Sequence, residues 1–97
     1  MRNTTNLKGK QMKVKATSYT GKQLTYIGTQ ARYGVIAVDP KVIPMGTRVY
    51  IPHFDKIFIA EDCGSAIKGA KIDIWLPTYK EAMNWGIREI DIIVLDK

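Results

Sequence analysis

Ala60-Glu-Asp-Cys-Gly-Ser-Ala-Ile-Lys-Gly-Ala-Lys-Ile-Asp-Ile-Trp75 is the stretch that decides how this chain folds. Two strand-like runs, Ile57-Phe-Ile-Ala-Glu61 and Ile72-Asp-Ile-Trp75, flank a glycine-punctuated turn from Gly64 to Gly69. Each run delivers an aspartate, Asp62 and Asp73. A third aspartate, Asp39, closes the apolar run that begins at Val35 and is followed by Pro40. Carboxylates at strand ends, shielded by apolar neighbours, suit a site that cleaves or binds sugars. Shielding raises a carboxyl pKa, and a protonated carboxyl can donate to a glycosidic oxygen.

Working outward, the remaining segments read as short strands separated by Gly and Pro. Met12 to Tyr19 alternates and ends at Thr20-Gly21, a strand into a turn. Residues 21–34 hold Gly21, Gly28 and Gly34 and read as a long loop, with room for a short strand at Leu24 to Ile27. Val35 to Val38 is a buried strand. The segment from Asp39 to Pro44 is a turn, and Thr47 to Ile51 alternates as a strand stopped by Pro52. Arg88 to Leu95 closes the chain as a strand with Ile90, Ile92 and Val94 on one face. One helix is predicted: Thr78 and Glu81 form a capping box, Tyr79, Ala82 and Met83 an apolar face, and Gly86 the C-terminal stop. About six strands and one short helix indicate a mainly β fold, a small barrel rather than a parallel α/β sheet. The expected organisation is a basic, flexible extension over residues 1–11 and one barrel domain over 12–97.

The chain has 97 residues, enough for one small core. It holds a single cysteine, Cys63, so no internal disulfide braces it. Its N-terminus lacks the apolar segment of a signal peptide, which points to an excised domain or a phage-type protein. No run approaches a membrane span. The net charge of +6 favours polyanionic partners, and five cations fall within the first fifteen residues. Trp75, Trp85, Phe54 and Phe58 lie in apolar-patterned contexts and read as core. That leaves no exposed aromatic platform for nucleic acid.

Several other motifs are set aside. The run from Gly64 to Gly69 leads into a strand rather than Lys-Ser/Thr and a helix, so it is not a phosphate loop. With one histidine, His53, and one cysteine, no transition-metal set is expected. His53 reads as a surface residue and Cys63 as an inert thiol. Asp39 before Pro40 has the bland reading of a turn-initiating residue. Asp73 is harder to dismiss, because burying a charge is costly.

The motifs beginning at Ala16, Gly34, Val42, Ala60 and Ile72 follow the order of the 3D domain, named for three aspartates that match Asp39, Asp62 and Asp73. The chain resembles that family over roughly residues 13–95. It is also similar to the catalytic part of the membrane-bound lytic transglycosylase A family. The resemblance implies a six-stranded double-psi β-barrel acting on peptidoglycan glycan strands at the bacterial cell wall, without metal or cofactor. The sequence does not fix the oligomeric state, and a monomer is favoured. It implies Asp73 as catalytic acid with Asp62 and Asp39 as active-site companions. Thr17, Tyr19, Gly64, Ser65 and Lys68 would line the sugar cleft. Two departures stand out: Cys63 replaces the usual Thr, and the segment 21–34 is short, so its loop contacts are not carried over.

The implied reaction is lytic cleavage of the MurNAc–GlcNAc bond. One acid protonates the bridging oxygen and, as carboxylate, takes a proton from the 6-hydroxyl as a 1,6-anhydro ring closes. Asp73 must then be protonated near working pH. Ile72, Ile74 and Trp75 would desolvate it, and Asp62 and Asp39 would repel its charge. A non-catalytic wall-glycan-binding barrel and a structural phage protein are the alternatives.

Overall fold

The computed structural model describes residues 7–96. Six strands and one helix follow in order: β1 (Gly9–Tyr19), β2 (Val35–Val38), β3 (Arg48–Ile51), β4 (Lys56–Cys63), β5 (Lys71–Trp75), α1 (Tyr79–Trp85) and β6 (Arg88–Leu95). The strands close into a barrel in the order β1-β5-β2-β4-β3-β6. The β1–β5 and β2–β4 pairs are parallel and the other four antiparallel. Closure leaves no open sheet edge to pair with another chain.

The core follows from the alternation. Val14 and Ala16 of β1, Ile36 and Val38 of β2, Phe58 and Ala60 of β4, Ile72 and Ile74 of β5 and Ile92 of β6 are buried together. Each large apolar side chain removed from water this way contributes about 1.5–3 kcal/mol. Ile90 and Val94 are partly buried against this cluster, as their shared face with Ile92 predicts.

Helix α1 begins where the capping box places it: Thr78 Oγ1 accepts from Glu81 N at 3.1 Å. It stops at Gly86, whose φ of 65° is a conformation that favours glycine. Its apolar face is not the one expected. Tyr79 and Met83 are exposed, whereas Trp85 is buried and Ala82 half-buried. A helix of under two turns shows the barrel one narrow edge, and long-range bonds choose it. Ser18 Oγ donates to Ala82 O at 2.9 Å and Trp85 Nε1 to Ala16 O at 3.0 Å. Phe54 stacks on Trp85 at 5.3 Å and is itself half-buried. His53, exposed as expected, packs edge-on against the same indole at 4.9 Å.

Two strands are longer than predicted. β1 starts at Gly9, because Gly9 and Lys10 pair with Leu95 and Val94 of β6. Three residues expected in the flexible extension are therefore strand, and residues 1–6 of that extension lie outside the described residues. β4 runs on to Cys63, which puts Asp62 inside the strand. The segment 21–34 contains only an isolated bridge, Leu24 to Gln30, in place of the short strand. Among the described residues, no helix is long and apolar enough to cross a membrane.

Candidate functional site

A register shift creates the site. On β2, Ile36 pairs with Ala60 of β4, but the next residue, Ala37, pairs with Asp62. Glu61 is thus the extra residue of a β-bulge, a device that re-aims side chains. On its other side Ala37 pairs with Asp73 of β5, and Asp73 pairs with Thr17 of β1. Asp62, Ala37, Asp73 and Thr17 therefore form one row across four strands. With strands about 4.8 Å apart, the small side chain of Ala37 leaves an open floor between the two carboxylates. A groove of ≈ 260 Å³ occupies that space, lined among others by Tyr19, Gln23, Asp62, Cys63, Gly64, Ser65 and Asp73.

The three aspartates have different surroundings. Asp73 is half-buried, and burial pushes its carboxyl above the usual range. The Thr17 hydroxyl, donating to Oδ1 at 2.9 Å, and the Lys71 charge oppose that rise, while Asp62 adds to it. Asp62 accepts three hydrogen bonds: from Tyr19 OH at 3.1 Å, from Tyr26 N at 2.9 Å and from Cys63 N at 3.0 Å. Burial, then the charge of Asp62, raises the Tyr19 phenol far above its ordinary value, so it stays a donor.

Asp39, expected beside Asp73, is not among the residues that line the groove. It is buried, and its carboxylate accepts from Gly69 N at 2.8 Å and Lys41 N at 3.0 Å. These two bonds, Gly69 first, hold it below the usual carboxylate range. It clamps the 64–69 turn in place, and the charge that raises Asp73 comes from Asp62. Lys68, expected in the cleft, is exposed and outside the groove lining, and its charge acts on Asp39. Thr17, Tyr19, Gly64 and Ser65 do meet at or beside the groove.

Other parts of the site gave little sign in the sequence. Glu61, buried at 7% exposure, receives Arg32 through Nη1 at 2.8 Å and Nη2 at 3.2 Å, and Thr29 Oγ1 at 2.7 Å. Arg32 first, then Thr29, holds its carboxylate below the ordinary range against the opposing effect of burial. This network ties the 21–34 loop to β4 and sets Tyr26 beside Asp62. Trp75, expected in the core, is half-buried. Its Nε1 donates to Gly21 O at 2.9 Å, and it borders a second hollow of ≈ 500 Å³ with Lys22, Gln30 and Pro77. That hollow is larger, but the carboxylates line the smaller one. Among the described residues no three His, Cys, Asp or Glu side chains converge in a metal-binding group.

The profile of the 3D domain family matches residues 34–96, a span that contains all three aspartates. The chain belongs to the 3D domain family. Two Bacillus subtilis (strain 168) proteins are similar in sequence. The cell wall-binding protein YocH is 38% identical over 97% of this chain and 36% of its own length. The putative cell wall shaping protein YabE is 39% identical over 91% of this chain and 24% of its own. The chain thus spans about a third or less of these relatives. In structure it is similar to MltA from E. coli, with a TM-score of 0.62 at 22% identity over 79% of this chain and 28% of that one. An apo form of an E. coli lytic transglycosylase MltA variant matches with the same TM-score and coverage at 20% identity. At such identity the likeness is one of fold, a mainly β six-stranded barrel with one short helix.

Proposed function

We propose that this 3D domain is a peptidoglycan lytic transglycosylase, cleaving the MurNAc–GlcNAc bond at the bacterial cell wall with Asp73 as the single general acid and base. The observation that carries the reading is the contrast between the aspartates. Asp39 is held as a carboxylate by two backbone N–H groups, and Asp62 is occupied by three donors. Asp73 faces the groove, and burial raises its carboxyl pKa.

A lytic cleavage asks for one such group. Protonated Asp73 gives its proton to the bridging oxygen as positive charge develops at the muramyl C1. The resulting carboxylate, one row position from Thr17, takes the proton of the 6-hydroxyl as that oxygen closes on C1. No attacking water enters, unlike the two-carboxylate hydrolases. Asp62 bounds the opposite wall of the groove, Tyr19 reaches across to it from β1, and Ala37 is the floor. Gly64 and Ser65 of the turn clamped by Asp39 shape its rim.

The fold of the E. coli lytic transglycosylase supports this reading. The name of the Bacillus relative, a cell wall-binding protein, favours a second one: a barrel that holds wall glycan without cutting it. Digestion of purified peptidoglycan followed by mass spectrometry separates them. Fragments ending in 1,6-anhydromuramic acid are expected. Intact strands that merely retain the protein would leave the binding reading, and reducing ends would indicate hydrolysis instead.

A further inference from the structure

The outer face of the β1–β5 pair carries a second feature next to Asp73. The register sets Lys15 opposite Lys71, Thr17 opposite Asp73 and Tyr19 opposite Trp75. Val14, Ala16, Ile72 and Ile74 turn into the core, so alternation places these three pairs on the outside. Lys71 precedes Asp73 by two residues, about 6.6 Å along the strand, and Lys15 lies about 4.8 Å further across. Like charges at this spacing repel, weakly where solvent screens them. Among the described residues the ion pairs within 4.0 Å are Lys13–Asp91 and Arg32–Glu61, so neither lysine is neutralised by one. Even Glu89, the β6 residue in register with Lys15, is not within that distance. Lys71 Nζ donates to a neutral partner, the Ala66 carbonyl, at 3.2 Å. Two ammonium groups without an ion pair, in the row next to Asp73 and in contact with solvent, give that side of the groove a cationic edge suited to an anion.

We infer that Lys15 and Lys71 form a subsite for a carboxylate carried on the lactyl arm of the muramyl residue. The inference rests on the lytic reading above. The two sugars of the strand differ in that arm alone: the muramyl unit bears a lactyl ether at C3 and its neighbour bears none. The carboxyl of the arm is free where the stem peptide has been removed. Where a peptide remains, the first free carboxylate lies further along it. Anchoring that charge beside Asp73 sets the register of an alternating polymer. It brings muramyl C1, rather than the C1 of the neighbouring sugar, to the acid. The cation pair thereby selects which of two near-identical bonds is cut.

The test uses the full chain, Lys15→Gln and Lys15→Gln/Lys71→Gln, each checked by thermal melting. The charge of Lys71 also acts on Asp73, whereas Lys15 is not among the groups that do, so Lys15→Gln is the cleaner probe. Binding and turnover are measured on three soluble glycan chains of equal length: peptide-stripped, peptide-bearing, and stripped with the lactyl carboxyl converted to its methylamide. The parent should prefer carboxylate-bearing chains over the methylamide by about five-fold at low salt, the scale of an exposed charge pair. Lys15→Gln should lose most of that preference and the double variant all of it, and added salt should erode it in the parent. Preference for stripped chains identifies the lactyl carboxylate itself, and preference for peptide-bearing chains identifies the stem. A carboxylate preference equal in parent and double variant overturns the subsite. Lysine-dependent binding without anhydro products would leave the subsite standing and remove the lytic reading. Anhydro products with lysine-independent preference would do the reverse.

Discussion

The Thr17 hydroxyl donates to Asp73 Oδ1 at 2.9 Å across the parallel β1–β5 pair. This bond works against the burial of the same carboxyl, which raises its pKa. Thr17→Val keeps the shape and removes the donor. The Asp73 pKa should then rise further, since a hydrogen bond to the charged form is lost. An acid acts while protonated, so the alkaline limb of the activity profile should move to higher pH. A pH–rate profile checks this, and a limb that stays in place would show that Asp73 does not set it.

Asp73→Asn removes proton donation at nearly constant size. Turnover of peptidoglycan should drop by at least ~10²-fold, the lower end for loss of a general acid. Stability should change in the other direction. A raised folded-state pKa means the native state binds more protons than the unfolded chain between the two values, so the parent loses stability as pH rises through that window. The variant escapes this loss. Its melting temperature should match the parent's below the carboxyl range and equal or exceed it at neutral pH. A variant that digests at the parent rate would remove Asp73 from the mechanism.

The Arg32–Glu61–Thr29 network should make the 21–34 loop acid-sensitive. The Glu61 pKa is depressed, so its contribution is complete above the ordinary glutamate value and is lost as pH falls through the folded one. Arg32→Met leaves a buried carboxylate with Thr29 as its remaining side-chain partner. Because Arg32 is half-exposed, the cost is discounted to about 1–2 kcal/mol. Hydrogen exchange should quicken at Tyr26 and Ala31, whose amides bond to Asp62 and to the Gln23 carbonyl. Unaltered exchange at both amides would mean that the network does not hold the loop.

Sequence reading reached the elements with local signatures and stopped at those made by distant partners. Strands β2, β3 and β5 followed from apolar pattern and flanking Gly and Pro, and the helix ends from Thr78, Glu81 and Gly86. The aspartates were visible as strand-end carboxylates, and Asp62 and Asp73 do face one groove. The surroundings of Asp39 were hidden, because its partners are backbone N–H groups 2 and 30 residues away. Glu61 and Arg32 lie 29 residues apart, and no local pattern couples them. Ala37 looked like one more apolar residue of β2, and its place between the two carboxylates exists only through the bulge at Glu61. The tail-like composition of Gly9 to Gln11 concealed a strand whose pairing comes from β6.

That last difference gives a prediction about where the fold begins. A side-chain carbon on Gly9 would run into the backbone of Val94 and Leu95, since the two strands approach too closely there for any Cβ. Gly9→Val should therefore break the β1–β6 register at its outer end. It should destabilise the barrel by about 1–3 kcal/mol, the usual cost of overpacking. Removing residues 1–6 leaves the Gly9–Leu95 and Lys10–Val94 pairs in place and sets the reference melting temperature. Removing residues 1–10 deletes the Gly9 and Lys10 pairs and the bond from Asp96 N to Lys8 O, and should lower it. Thermal melts of the three variants decide the point. Equal melting temperatures for both truncations would mean that β1 contributes to the fold only from Gln11 onward.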